Sequence, residues 1–466
     1  MISEIRNLKS EISFQDIYVP NGQLQGHVTP PDPIQQAFGH GTWELANADW
    51  EPDFPTASKD IRWFLDKGKE INPDILGIVN LTTIKKVLDV VGNFSVPEYQ
   101  ASLTPDNLYL FLQGKTEVNF FPGSTQKKDT LTAVGTAMLK KINTLSLSKK
   151  IKIAKILYND LSNQNIVLNS LNPNFQSILE QKKFAGILTP KAFDNYALIE
   201  TNLGANKSNQ FVKRQTTHEI KYGLISNNSL FQSNSPTPEV GDTTTIQGIT
   251  HQVNIKFTNS SPEANPNPPL YYGGNYITYL RIYIPSLAQN INLSGSPIAS
   301  PSSFIISNTS PSPSPTVGAD PRVRPASNTA IQDSSKQSVA IAPGLSQGAS
   351  GTILTNQIIT QPLSPSLRVS DTSEPKQSQV QNNSTFHSST NPLITPKYGF
   401  TEIGFWHITP AGGESTLNLS YDLPLIDQSD YSLAILKQNG FPVSPQTIHL
   451  FGKPFTSELT SSYLFP

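Results

Sequence analysis

Asp49 and Asp53 stand four residues apart in the run Asn47–Ala57, NADWEPDFPTA, fenced by Trp50, Pro52 and Pro55. Two carboxylates on a loop stiffened by proline can hold Mg²⁺ together with a phosphate, because hard cations take oxygen ligands. Arg62 follows within the helix that Pro55 opens, and a guanidinium is suited to bidentate phosphate recognition. Each of these residues also has a structural use. Asp53 can cap the helix, Asp49 can bond neighbouring backbone amides, and Arg62 can pair with Asp60 or Asp66 on the helix surface.

Two further groups of charges could meet a ligand. Residues 115–155 hold nine lysines, Lys127 and Lys128 among them, against Glu117 and Asp129, a local excess of +7. Such a patch attracts an anionic lipid head group or a wall polymer, unless it is simply a solvated helix face. Lys207 and Arg214 flank a junction between two differently patterned halves of the chain. They can either face a ligand in a cleft there or fix the junction by hydrogen bonds.

Other chemistry is excluded more readily. Gly344-Leu345-Ser346-Gln347-Gly348 matches a nucleophile elbow only on paper, since no strand precedes it and no helix follows. The seven histidines lack zinc-ligand spacing, and without cysteine there is neither a disulfide framework nor a thiolate metal site. No phosphate-binding glycine loop is present. A net charge of −1, with few aromatics among the lysines, argues against nucleic acid as a partner.

The elements that must position these residues change period along the chain. Over residues 11–205 strand-like and helix-like segments alternate. Asp74–Val79 is a short apolar run, and Leu81, Ile84, Leu88 and Val91 follow at helical spacing with Gly92 as a stop. Helices are also expected from Pro55, from about Asp129, and behind Ser148 as a cap. Ile12, Phe14 and Ile17 suggest a strand. The order implies an α/β fold with a mainly parallel sheet and flanking helices. From residue 210 the period becomes two, in His251–Phe257, Leu417–Leu423 and five similar stretches. An immunoglobulin-like β-sandwich over 210–293 and 397–455 is the expected second domain. Residues 294–396, rich in Ser, Pro, Thr and Gln, are expected to be a long disordered loop inserted in that sandwich. The overall hydrophobic fraction of 36% fits a chain with much that is not core.

The segment Asn47–Ala57, with Asp74–Gly92 and Asn202–Arg214, resembles a family of bacterial membrane-anchored envelope proteins, domain of unknown function 4012. The resemblance spans most of residues 11–294 and 398–452. It implies a place on the extracytoplasmic side of the cell envelope and a membrane anchor preceding, and absent from, this chain, whose own N-terminus is polar. Asp74–Gly92 followed by Asp129–Lys141 is also distantly similar to the LytR-CpsA-Psr phosphotransferases. That likeness implies Mg²⁺-dependent transfer of an anionic lipid-linked glycopolymer. The chain departs from it where arginines are expected, having Lys127, Lys128 and Lys140, and has Asn93 for a glycine. Three functions follow as expectations: a non-catalytic binder of an anionic envelope ligand, such a phosphotransferase, or a structural or adhesion module.

Overall fold

A computed structural model describes residues 14–15, 17–39, 42–117, 126–226, 245–263, 273–296, 339–343, 392–425 and 427–465. The N-terminal part carries short helices α1 (Tyr18–Asn21) and α2 (Asp32–Phe38), then α3 (Phe54–Lys67). Strand β1 (Ile75–Val79) leads directly into α4 (Leu81–Val91), where Asn80 accepts from the Thr82 amide as N-cap. Gly92 ends α4 at a φ of 78°, a backbone that side chains with a Cβ rarely adopt. A hairpin of β2 (Phe94–Val96) and β3 (Ala101–Leu103) precedes α5 (Leu108–Glu117), α6 (Gln126–Asn143) and α7 (Leu147–Ser162). Strand β4 (Ile166–Ser170) and α8 (Pro173–Gln181) complete this part.

Its sheet corrects the parallel expectation. β1 runs antiparallel to β4 and pairs in parallel only with β10 (Val339–Pro343), which comes from the Ser/Pro-rich tract. The rest of the disorder expectation for 294–396 lies outside the described residues except at its margins. There, 294–296 finish β9 (Gln289–Ser296) and 393–396 form most of β11 (Leu393–Lys397). Phe14 and Ile17 are not in a strand, and Ile12 lies outside the described residues. The Phe14 ring instead packs onto Gly135 of α6, where any Cβ would collide with it.

The C-terminal part is two six-stranded mixed sheets. One has the order β11, β12 (Phe400–Thr409), β8 (Tyr276–Pro285), β5 (Asp194–Asn202), β14 (Leu433–Leu436), β17 (Tyr463–Phe465). The other runs β16 (Lys453–Glu458), β15 (Pro445–Leu450), β6 (Val212–Ser226), β7 (Thr245–Asn259), β13 (Glu414–Pro424), β9. Their facing side chains form one core that includes Tyr196, Leu280 and Phe405 from the first sheet and Ile255, Phe257 and Leu419 from the second. β5, within the stretch expected to be α/β, is a central strand of the first sheet. Two pairs are parallel, β14 with β5 and β15 with β6.

The first sheet is covered on its outer face too. Leu188, Ala197, Ile199, Tyr283 and Leu436 pack together there, and Ile34, Tyr279 and Trp406 gather with half-buried Trp43 and Trp50. The N-terminal part therefore sits on the back of that sheet, and Asn47–Ala57 runs through the seam. Among the described residues, no helix is long and apolar enough to cross a membrane.

Candidate functional site

The seam segment is bolted to the sandwich residue by residue. Asp53 is the N-cap of α3: its Oδ2 accepts from the Thr56 amide at 3.1 Å and the Thr56 hydroxyl at 2.7 Å. Its Oδ1 accepts from the Leu188 amide at 3.0 Å, so both oxygens are spent inside the fold. The Pro52 carbonyl accepts from Asn439 at 3.1 Å, and the Phe54 amide donates to Gly186 at 3.1 Å. Glu51 takes Lys397 at 2.8 Å and the Tyr398 hydroxyl at 2.6 Å. The Trp50 carbonyl accepts from Arg281 Nη2 at 2.9 Å, and the guanidinium lies 4.2 Å from the centre of the Trp50 ring, a cation–π stack.

Around Arg281 gathers a charged cluster in which only Asp49 was expected to act. Arg281 is 2% exposed, and its Nε and Nη1 have no hydrogen-bond partner. Asp49 is half-buried as a residue, but its Oδ2 is sealed from solvent and equally without a partner. Burial, outweighing a backbone hydrogen bond and the Arg281 charge, pushes the Asp49 carboxyl up to about 7. Asp60, in the field of Glu51 and Lys397, is raised to about 6 by burial and by the Glu51 charge. Burial raises Glu51 less than Lys397 and Tyr398 lower it, so it stays below the usual range. Glu402 accepts from the Tyr283 hydroxyl and sits 4.0 Å from Lys397. Four carboxylates and two cations thus gather at the seam, two of the acids raised toward neutrality chiefly by burial. A crevice at the same seam is lined by Pro52, Leu188, Lys191, Lys437, Gln438 and Asn439, and its interior volume of about 10 Å³ fits one water. Burial lowers the Lys437 ammonium there to about 7.

The other expected site residues part company. Arg62 is buried, giving its hydrogens to Asn72 Oδ1 at 2.9 Å, to the Pro73 carbonyl, and to Asn169 O at 3.3 Å. It clamps α3 to β1 and β4, and pairs with neither Asp60 nor Asp66. Arg214 is buried against Glu200 at 2.6 and 3.0 Å and stacks 4.2 Å from the Phe441 ring. Lys207, left-handed with a φ of 56°, is buried at the start of a short 3₁₀ turn, and Lys127 is buried in α6. Lys128 is exposed. Among the described residues no three His, Cys, Asp or Glu are placed to share a metal ion.

What stays open to solvent is the lysine stretch. Lys128, Lys140, Lys149, Lys150, Lys152 and Lys155 are all exposed on α6 and α7. The one acid of α7, Asp160, is turned inward, bonded to Thr83 at 2.6 Å and Lys86 at 2.6 Å. α7 begins at Leu147, behind Ser146; the expected cap Ser148 lies inside the helix.

Sequence reasoning missed Arg281, Lys397 and Glu402. Arg281 was visible as the lone charge in the apolar strand Tyr276–Ile284. It missed as well a buried polar chain in the sandwich core. His251 Nδ1 meets Asp194 at 2.7 Å, His218 Nδ1 meets His251 Nε2 at 3.0 Å, and His218 Nε2 meets Gln446 at 3.1 Å. Tyr421 and Tyr431 each donate to Asp194 at 2.7 Å. Burial and the His251 charge hold His218 down at about 3.

Comparison with protein-family models, with curated proteins and with solved structures finds no match to this chain.

Proposed function

We propose that this chain is a non-catalytic cell-envelope protein of the extracytoplasmic side that binds an anionic envelope ligand through the lysines of α6 and α7. The observation that carries the reading is the exposed row Lys128, Lys140, Lys149, Lys150, Lys152 and Lys155, with the one acid of α7 turned inward and paired. Lysines in such excess over acids, six exposed here against exposed Asp129, concentrate polyanions near a surface. The residues a phosphotransferase would need free for Mg²⁺ and pyrophosphate, Asp53 and Arg62, are instead engaged with Leu188, Thr56, Asn72 and backbone carbonyls. That supports binding over transfer. The likeness of Asn47–Ala57 to the envelope family supports the location. The sandwich, in this reading, is an immunoglobulin-like module for contacts at the surface.

The test is calorimetric titration with a soluble polyphosphate as stand-in for a phosphate-bearing wall polymer. Binding is expected to weaken steeply as salt shortens the range of exposed charges. It should fall at least tenfold when Lys149, Lys150, Lys152 and Lys155 are changed to Gln, with melting unchanged. Salt-independent binding, or binding that survives the four changes, would refute the reading.

A further inference from the structure

α7 carries more than charge. Leu147, Ile151 and Tyr158 are 74%, 48% and 60% exposed, and Ala154 between them is exposed as well. Their spacing of four, three and four residues lines a single face of a helix with 3.6 residues per turn. That face is turned to solvent, apart from its C-terminal end where the Tyr158 ring meets Phe184 edge-on at 5.9 Å, because the opposite one, with Ile153, Ile156 and Asp160, is turned to α4 and the neighbouring core. Lys150 borders the apolar stripe on one side and Lys155 on the other.

We propose that α7 lies on an anionic phospholipid bilayer, its stripe sunk into the headgroup boundary and its lysines on lipid phosphates. This deepens the anionic-ligand reading and rests on it: the ligand becomes a lipid surface. The observation that selects lipid over a soluble polymer is the exposed stripe, which a wall polymer has no apolar part to cover. Charge selects lipid over a second copy of the chain. The same stripe would suit a two-helix seam, but Lys150 and Lys155 would then face their own counterparts across it, and like charges there oppose pairing. An anionic bilayer satisfies both features at once: apolar side chains and an aromatic at the interface, flanked by lysines. Tyr158 has the amphipathic ring suited to that depth.

The experiment is flotation of residues 1–466 with vesicles of phosphatidylglycerol and phosphatidylcholine, against phosphatidylcholine alone. The wild type is expected to float with the anionic vesicles only. Changing Leu147, Ile151 and Tyr158 together to Ser should lower partitioning at least tenfold while leaving polyphosphate binding intact. Each of these side chains is at least 48% exposed, and Tyr158 otherwise touches Phe184, so an unchanged circular-dichroism melt verifies the fold. Polyphosphate binding without vesicle binding would overturn this inference and leave the proposed function standing. Loss of both would remove both. Vesicle binding unaffected by the triple change would also overturn it. So would sedimentation showing a wild-type dimer in lipid-free buffer that the triple change dissociates, since the stripe would then belong to a second copy.

Discussion

Asp49 lies in the field of Arg281, yet its Oδ2 makes no hydrogen bond, and burial lifts the carboxyl to about 7. The folded state therefore binds this proton more tightly than the unfolded chain, whose Asp titrates near 3.8. The resulting penalty is absent at low pH, grows as pH rises between those two values, and is constant above the higher one. Asp49→Asn removes it. Relative to wild type, the variant should be near neutral at about pH 4 and more stable by roughly 2 kcal/mol at about pH 8, a figure lowered for the residue's partial exposure. Urea unfolding at the two pH values checks this, and a difference that does not change with pH would show the carboxyl to be ordinary. The neighbouring acid shows why sequence could name both residues and not their roles. Asp53 is an acid before a Pro-initiated helix, which reads equally as a cap or a ligand; the Leu188 amide that completes its coordination comes from 135 residues away.

At the scale of elements, one polar tie between the two sheets is the pair Glu200–Arg214, joining β5 to β6 with Tyr276 as a second donor at 2.7 Å. Burial pushes the Glu200 carboxyl up against the pull of Arg214 and Tyr276. Removing one partner strands the other in a dry interior, so Glu200→Ala should cost about 3–5 kcal/mol in urea unfolding. Adding Arg214→Met should restore much of that loss. If the double variant is worse than the single, the stranded arginine is not the source of the loss. Much of this architecture was legible. The seven period-two stretches all fall on strands; those of the second sheet keep one face on the core and one toward water, α3 begins behind its Asp53 cap, and α4 ends at Gly92. β5 was not, because Asn195–Ile199 is covered on both sides and so shows no alternation. The direction of β14 against β5 and of β15 against β6 leaves no trace in local pattern at all. Nor does the coming together of Arg281, Lys397 and Glu402, which lie on different strands and have no shared motif.

For the molecule as a whole, the buried polar chain from Asp194 to Gln446 sets the acid limit. His218 titrates near 6.5 when unfolded and at about 3 in the core, so stability falls as pH drops through that interval. Asp194 is held low, the cost of its burial overcome by His251, Tyr431 and Tyr421; its contribution is present above the unfolded value and is lost as pH falls through its own. Asp49 works in the opposite sense over part of the same range, so the informative quantity is a difference between proteins. Scanning calorimetry of wild type and His218→Gln should find the variant less stable at neutral pH, with the gap narrowing as pH falls from about 6.5 to about 4. A gap that stays constant would mean His218 does not titrate in that range.

The side chain of Gln438 grips both the amide and the carbonyl of Glu200, 238 residues earlier in the chain. β5 thus has its neighbour on one side only after nearly the whole polypeptide has been made. Ribosomal synthesis runs at about 5–20 residues per second, so a nascent chain spends on the order of ten seconds or more with a central strand edge unpaired. Closing so long a loop is also slow once the last strands emerge. One edge of β5 consequently stays open until the C-terminal strands emerge. That makes the unpaired β5 edge the place where a chaperone would have to stand guard.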